Sequence, residues 1–297
     1  MKKPTLILIS FILLLTACKP VDVNSPAPVY DTGIDPNTWA IIPAGEFLSS
    51  QFNKEQNIDY DYKMMVTNVT NEQFSNYLNS ALSDGYIQIL NNEIVGYYPG
   101  DEFNDGRHEE EIVAGDYIHI PLDDPMLRQD FDGENFSAQS TWANHPMTMV
   151  SWFGAKAFCE YYDWRLPTEL EWEKAARGND GRPFPWGETI SRKNANLINS
   201  RDPFEDMKSL GSRTSPVGFY NGNVYDGYTT IDSPSPYGLY DMAGNVWEWT
   251  NNVYEEQHYR YLRGGSKDVY ENYLRIWVRN SAMPSYISPG FGFRCVR

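Results

Sequence analysis

The chain has 297 residues, 41% apolar and 15% aromatic, with 21 tyrosines and a net charge of −16. That is enough apolar sequence for one large domain or two small ones. The acidic balance leaves no basic patch to release counterions, which excludes nucleic acid and anionic lipid headgroups as partners; a solvated acidic surface is the default explanation, and cations or a basic partner stay compatible.

Residues 1–17 read as a signal peptide, because Lys2 and Lys3 precede an apolar stretch, 6–15, that is too short to span a bilayer. Leu15-Thr16-Ala17-Cys18 resembles a bacterial lipobox. The resemblance implies cleavage before Cys18 and acylation of its sulfur and amino group, an anchor of several acyl chains. It implies an exported, lipid-anchored envelope protein, at the outer membrane or cell surface, touching the membrane through that anchor only. Loss of Lys2 and Lys3 leaves a mature charge of about −18. Residues 18–38 are polar, with Pro20, Pro26, Pro28, Gly33 and Pro36 and no apolar periodicity, and predict a flexible tether.

Residues 39–47 carry the first strand signals. Thr70 and Gln73 form a capping box ahead of Phe74, Tyr77, Leu78 and Leu82 at helical spacing, a core-facing helix. Between 85 and 143, short apolar runs (86–90, 94–98, 117–120) alternate with acidic turns and predict a hairpin-rich insertion. The turn at Asp130-Phe131-Asp132-Gly133-Glu134 lacks the spacing of a calcium loop and reads as solvated. Ser151 caps a helix whose buried face is Ala155, Phe158, Cys159 and Tyr162. Thr168 and Glu171 open a third helix that Gly178 closes. Asn221-Gly222-Asn223 and Asp226-Gly227 are hairpin turn signals.

The stretch Tyr237-Gly238-Leu239-Tyr240-Asp241-Met242-Ala243-Gly244-Asn245-Val246-Trp247-Glu248-Trp249-Thr250 suits neither a periodic helix nor a plain strand, since two glycines and an aspartate interrupt it. It reads as a tight loop entering a strand at 246–250. Asp241 and Glu248 offer oxygens of the kind a hard cation takes. From spacing alone, acids that cap backbone N–H groups and tryptophans that fill core are the favoured reading.

This stretch is similar to the signature of the formylglycine-generating-enzyme (sulfatase-modifying-factor) family. Three further segments agree in order: Trp39-Ala40-Ile41-Ile42-Pro43-Ala44-Gly45-Glu46-Phe47; Trp164-Arg165-Leu166-Pro167-Thr168-Glu169-Leu170-Glu171-Trp172-Glu173-Lys174-Ala175-Ala176-Arg177-Gly178; and Arg263-Gly264-Gly265-Ser266 with the terminal Gly290-Phe291-Gly292-Phe293-Arg294-Cys295. The resemblance covers 39–297. It implies an α+β, variant C-type-lectin-like fold, loop-rich, with short antiparallel strands and about three helices. It also implies structural calcium. One ion would take the Asp241 and Glu248 side chains with the Gly244 and Val246 carbonyls. A second would take Asn196 and the Leu197 carbonyl, with Asp206 as candidate acid.

Cys159 and Cys295 remain as an even pair once Cys18 is spent on lipid. The resemblance implies that they form a disulfide; two buried free thiols are the alternative. Active members of the family carry two more cysteines after Arg-Gly-Gly-Ser, which bind copper(I) for oxygen-dependent oxidation of a substrate cysteine. Here those positions are Val269 and Leu274, which offer no soft ligand, so copper is not expected. The histidines His108, His119, His145 and His258 show no ligand spacing. No Gly-x-Ser-x-Gly, P-loop or dinucleotide fingerprint is present.

The expectation is therefore a non-catalytic, envelope-anchored binding or scaffold module, with an unknown envelope protein or a glycan as partner. Such modules would be similar to the variable display proteins of diversity-generating retroelements or to the lipoproteins of gliding and secretion machines. The rival is an oxidoreductase of the formylglycine-generating type with a non-standard active site. The candidate binding surface is Trp247, Ser266, Tyr270, Tyr273, Asn280 and Tyr286, provided Tyr270 and Tyr286 stand exposed around a concavity with Ser266 and Asn280 as polar anchors. Trp277 is expected in the core.

Overall fold

In the computed structural model, residues 27–101, 112–206, 211–254 and 258–297 are described, and the side chains of 206, 211, 212 and 254 fall outside that description. The expected leader, Cys18 and the first part of the expected tether lie outside the described residues, as does His108.

Near its start the chain folds back on itself twice. β1 (Trp39–Ile42) and β2 (Gly45–Ser49) are followed by β3 (Lys54–Ile58) and β4 (Tyr62–Met65), and β2 pairs with β3 and β1 with β4, all antiparallel. Helix α1 (Asn71–Ser83) begins with the capping box expected of Thr70 and Gln73 and buries Phe74, Tyr77 and Leu78. The insertion contains β5 (Ile87–Leu90), β6 (Glu93–Tyr98) and β7 (Gly115–Pro121) in one antiparallel sheet, then the hairpin of β8 (Gln129–Phe131) and β9 (Phe136–Ala138). In the turn between β8 and β9, Asp132 Oδ1 accepts the N–H groups of Glu134 and Asn135, so this acid caps a turn.

Ser151 caps α2 (Trp152–Tyr161), and the Thr168–Glu171 capping box opens α3 (Glu169–Arg177), which ends at Gly178 with φ 73°. The middle of the chain is loop with two-residue ladders: β10 (Glu205–Asp206) with β11 (Gly211–Ser212), and β12 (Val224–Tyr225) with β13 (Tyr228–Thr229) around Asp226-Gly227. The last sheet runs β16 (Arg279–Ala282), β15 (Tyr259–Arg263), β14 (Trp247–Tyr254), β17 (Phe291–Gly292). Its β14–β17 pairing is parallel, and its other pairings are antiparallel. The architecture is the expected α+β, loop-rich one, with three α-helices among the described residues.

The main core gathers α1, α2, β14 and the terminal segment. Phe74 stacks on Phe158 at 5.6 Å, and Phe293 meets both edge-on. The Cys159–Cys295 disulfide is formed and fully buried, tying α2 to the terminal segment. Two further findings depart from the sequence reading. Residues 27–38 are not a free tether: the Tyr30 ring lies 5.2–5.9 Å from Phe204, Phe219 and Tyr225, and Thr32 Oγ1 donates to the Val217 carbonyl at 3.0 Å. These partners are too distant in sequence to leave a local pattern. Trp277, expected in the core, is half-buried under the Arg177 guanidinium at 5.7 Å.

The insertion docks through His119 on β7. A Cβ on Gly96 would come within 2.5 Å of its Cε1, and a Cβ on Gly154 of α2 within 2.9 Å of its Cβ. Only glycines permit that approach. The ring is buried, its Nδ1 has no hydrogen-bond partner among the described residues, and burial pushes its pKa down to about 4.

Candidate functional site

The loop 241–246 is built from left-handed residues: Asp241 at φ 57°, Gly244 at 84° and Asn245 at 63°. Gly244 is required there, because a Cβ would stand 2.4 Å from the Asn196 carbonyl oxygen. That carbonyl accepts the Asn245 N–H at 2.8 Å, so the structure brings the Asn196–Leu197 loop against the signature loop. Asn245 is the hub: its side chain exchanges hydrogen bonds with the Ser215 backbone, and its carbonyl accepts the Lys267 N–H.

Glu248, expected as a calcium ligand, is occupied otherwise. It is fully buried; Oε1 accepts from Asn68 Nδ2 at 2.9 Å and Arg294 Nη2 at 2.8 Å, while Oε2 accepts from Trp172 Nε1 and Arg294 Nε at 2.8 Å each. Four donors fill the roughly four lone-pair sites of a carboxylate, and the Arg294 pairing is bidentate. The Gly244 carbonyl accepts the Val246 N–H, and the Leu197 carbonyl accepts the Ser200 N–H. Val246 is fully buried at the head of β14. Asp241 Oδ2 accepts the Gly218 N–H at 2.7 Å, and burial pushes its carboxyl up to about 6. The Asp206 side chain lies outside the described residues. An ion at Glu248 would have to displace Arg294 from the carboxylate. Among the described residues no three His, Cys, Asp or Glu side chains gather to hold a metal.

The position of the family's cysteine pair has become packing. Leu274 is fully buried in an apolar cluster with Phe184, Ala195, Leu197 and Ala243, and Val269 packs against it. The Val269 carbonyl accepts the Ile198 N–H at 3.1 Å, which fixes the loop after Ser266. Methyl groups line this place, and no donor there suits copper(I). His145 is structural as well: its Nδ1 lies 3.0 Å from Thr214 Oγ1 and its pKa is pushed down to about 3, chiefly by burial.

The six surface candidates divide. Tyr270, Tyr273 and Tyr286 are 59%, 53% and 54% exposed, and Asn280 is exposed on β16. Trp247 and Ser266 are buried instead. Trp247 donates its backbone N–H to the Gly290 carbonyl, and Ser266 Oγ accepts the Asp268 N–H at 3.3 Å. They support the face from beneath.

Sequence reasoning missed what lies between them. Asp268, its carboxylate half-exposed, pairs with the buried Lys267 Nζ. Ser288 Oγ accepts the Gly290 N–H at 3.1 Å. The Ser288-Pro289-Gly290 turn was the available signal, because a glycine beside a turn marks close approach. On the inner side, Arg263 is buried and pairs with Glu169 at 2.9 Å and Glu173 at 2.8 Å, and Glu173 also holds Arg177 at 2.8 Å.

Residues 31–297 match the sulfatase-modifying factor enzyme 1-like domain. The chain is 38% identical over 159 residues to the inactive C-alpha-formylglycine-generating enzyme 2 of Bos taurus, covering 50% of this chain and 49% of that one. It is 35% identical over 176 residues to the formylglycine-generating enzyme of Streptomyces coelicolor, covering 51% and 52%. The chain thus spans about half the length of these curated relatives. The solved structure of PvdO from Pseudomonas aeruginosa aligns with a TM-score of 0.56 at 20% identity, over 92% of this chain and 98% of that one, which supports the fold.

Proposed function

The chain belongs to the sulfatase-modifying factor family, and from that premise we propose that it is a non-catalytic binding module of the bacterial envelope, anchored through acylated Cys18. The observation that carries this reading is the occupation of the cysteine positions by Leu274, fully buried in an apolar cluster, and Val269, half-buried against it. Thiol oxidation needs a soft, exchangeable metal site at that point, and two aliphatic side chains supply neither ligand nor redox group. The likeness to a relative named inactive agrees with it. A buried charge network ties Arg263 to Glu169 and Glu173, while the face beyond Ser266 carries three exposed tyrosines. Amphipathic aromatics of this kind supply contact area at low entropy cost. Anchoring follows from the lipobox resemblance, and Cys18→Ser releases the protein from membranes on this reading.

Two measurements test the proposal. Metal analysis and oxygen uptake on purified protein should give no stoichiometric copper and no turnover with a cysteine-containing peptide; a copper-loaded, oxygen-consuming protein overturns the reading. In a screen against envelope proteins and glycans, a folded Tyr270→Ala, Tyr286→Ala double variant should lose the ligand that the wild type retains. Equal binding by the two moves the functional site elsewhere.

A further inference from the structure

Residues 27–38 are part of the domain rather than a lead to it. Ala27 and Thr32 are buried. The Tyr30 ring sits among Phe204, Phe219 and Tyr225, and its hydroxyl donates to Asp226 Oδ2 at 2.8 Å. Asn221 Nδ2 donates to the Thr32 carbonyl at 2.8 Å, and Thr32 Oγ1 donates to the Val217 carbonyl. Ile34 lies so close to Gly218 that a Cβ there would stand 2.7 Å from Ile34 Cγ1. Gln73 Nε2 of α1 then donates to the Pro36 carbonyl and to Asn37 Oδ1. Contacts thus run the length of 27–38, first to the loop 217–226 and then to α1.

This docking changes how far the domain reaches from an anchor at Cys18. Residues 19–26 separate Cys18 from Ala27, and in no conformation do they carry Ala27 further than about 30 Å. Counted from Cys18 to Trp39, where β1 begins, the same limit is about 70 Å. A domain of this length is roughly 50 Å across. The docked connection is therefore shorter than the domain, and an undocked one would be longer. With 27–38 docked, the pole opposite Ala27 cannot turn to the bilayer, because Ala27 would then stand roughly 50 Å from it. With 27–38 free, every face comes within reach.

From this difference we infer that 27–38 is a strap that orients the domain on the membrane: the side formed by Tyr30 and the β12–β13 hairpin faces the bilayer, and the opposite pole faces away from it. The inference rests on the anchored-module reading, since it needs the lipid at Cys18, and adds to it which side of the domain is left for a partner. Tyr30 follows Ala27 by three residues, so it stands within about 10 Å of it, and the Tyr225 ring of β12 is 5.2 Å from the Tyr30 ring. Asp31 and Asp226 are exposed on this side. Their charges oppose entry into lipid, so the strap sets orientation and height without insertion.

The test uses the full-length lipoprotein in vesicles of neutral phosphatidylcholine, with Val224→Cys as a labelling site. Val224 is 61% exposed on β12, Cys159 and Cys295 are held in the buried disulfide, and Cys18 is acylated on this reading, so the new thiol is labelled alone. Energy transfer from a dye at 224 to acceptors in the headgroup layer reports the height of this side. Two changes are compared in that background. Tyr30→Ala with Thr32→Ala removes the strap's central contacts. A Gly/Ser spacer as long as 27–38, inserted before Ala27, lengthens the connection and leaves the domain untouched. Thermal melts establish that the domain folds in both. Transfer should fall by roughly twofold or more in each, because the reach of the connection doubles or better. A fall with the spacer but not with the strap substitutions overturns the inference, since these contacts then do not set the height; equal transfer in all three proteins overturns it as well. If the wild type carries no lipid at Cys18 and does not sediment with vesicles, the anchored reading itself fails, and the orientation falls with it.

Discussion

The two sides of the Arg263-Gly264-Gly265-Ser266 turn differ in how deeply their charged and polar groups are buried. On the inner side, Arg263, Glu169, Glu173 and Arg177 form a buried network, and Glu248 takes four donors, two of them from Arg294. On the outer side, Asp268 is half-exposed and three tyrosines face solvent. Buried ion pairs fix a fold, because loss of one member leaves another charged group unpaired in low dielectric. Groups at a surface carry no such constraint. The contrast explains how this domain keeps its family's frame without the cysteine pair.

The sharpest way to break the comparison is inside. Glu248→Gln leaves the Arg294 guanidinium buried without its counter-charge and should cost about 3–5 kcal/mol, read as a large drop in the denaturation midpoint or loss of folded protein. A loss below about 1 kcal/mol would show that the inner side is no more constrained than the outer. Next comes the disulfide, whose cysteines are 136 residues apart in sequence. Cys159→Ala with Cys295→Ala should cost about 2–5 kcal/mol, and reductant should lower the wild-type midpoint but not the variant's.

Acid gives the third test. His119 and His145 have folded pKa values pushed down to about 4 and about 3, against the ordinary 6.5. The unfolded chain therefore takes up more protons below pH 6.5. Stability is intact above that value and falls as the pH drops towards each folded pKa. At pH 5 the loss should be about 2 kcal/mol for each ring, seen by comparing denaturant midpoints at pH 7 and pH 5. His119→Asn should flatten part of this dependence; an unaltered pH profile in that variant would mean the ring is not the proton acceptor.

The smallest expected effect is that of calcium. With Glu248 held by Arg294, a chelator should shift the melting temperature by no more than about 1 °C, within the range of surface effects. A fall of several degrees would restore the cation and require Arg294 to release Glu248.

How much of this was legible depends on the range of the interaction. The capping boxes at Thr70 and Thr168 and the turn at Asp226-Gly227 are short-range chemistry and were readable in a few residues. The fold came from four ordered motifs. The partner of Glu248 was not readable: a buried glutamate suits a cation or an arginine equally, and Arg294 lies 46 residues on. Residues 27–38 looked like linker because prolines and polar residues dominate locally, while Tyr30 finds its aromatic partners only after 174 residues.

The strand that locks the core is also made late. Val296 bridges both Met64 and Arg165, the Met65 N–H donates to the Cys295 carbonyl, and the Val69 N–H donates to the Phe293 carbonyl. The first hairpins and two helices thus share a seam that stays open until residues 293–297 have been synthesised. Contacts across more than 200 residues of intervening chain close slowly. On a ribosome-bound chain α1 and α2 can meet through Phe74 and Phe158 once both are made, but the face that these rings offer to Phe293 stays uncovered until the terminal segment follows.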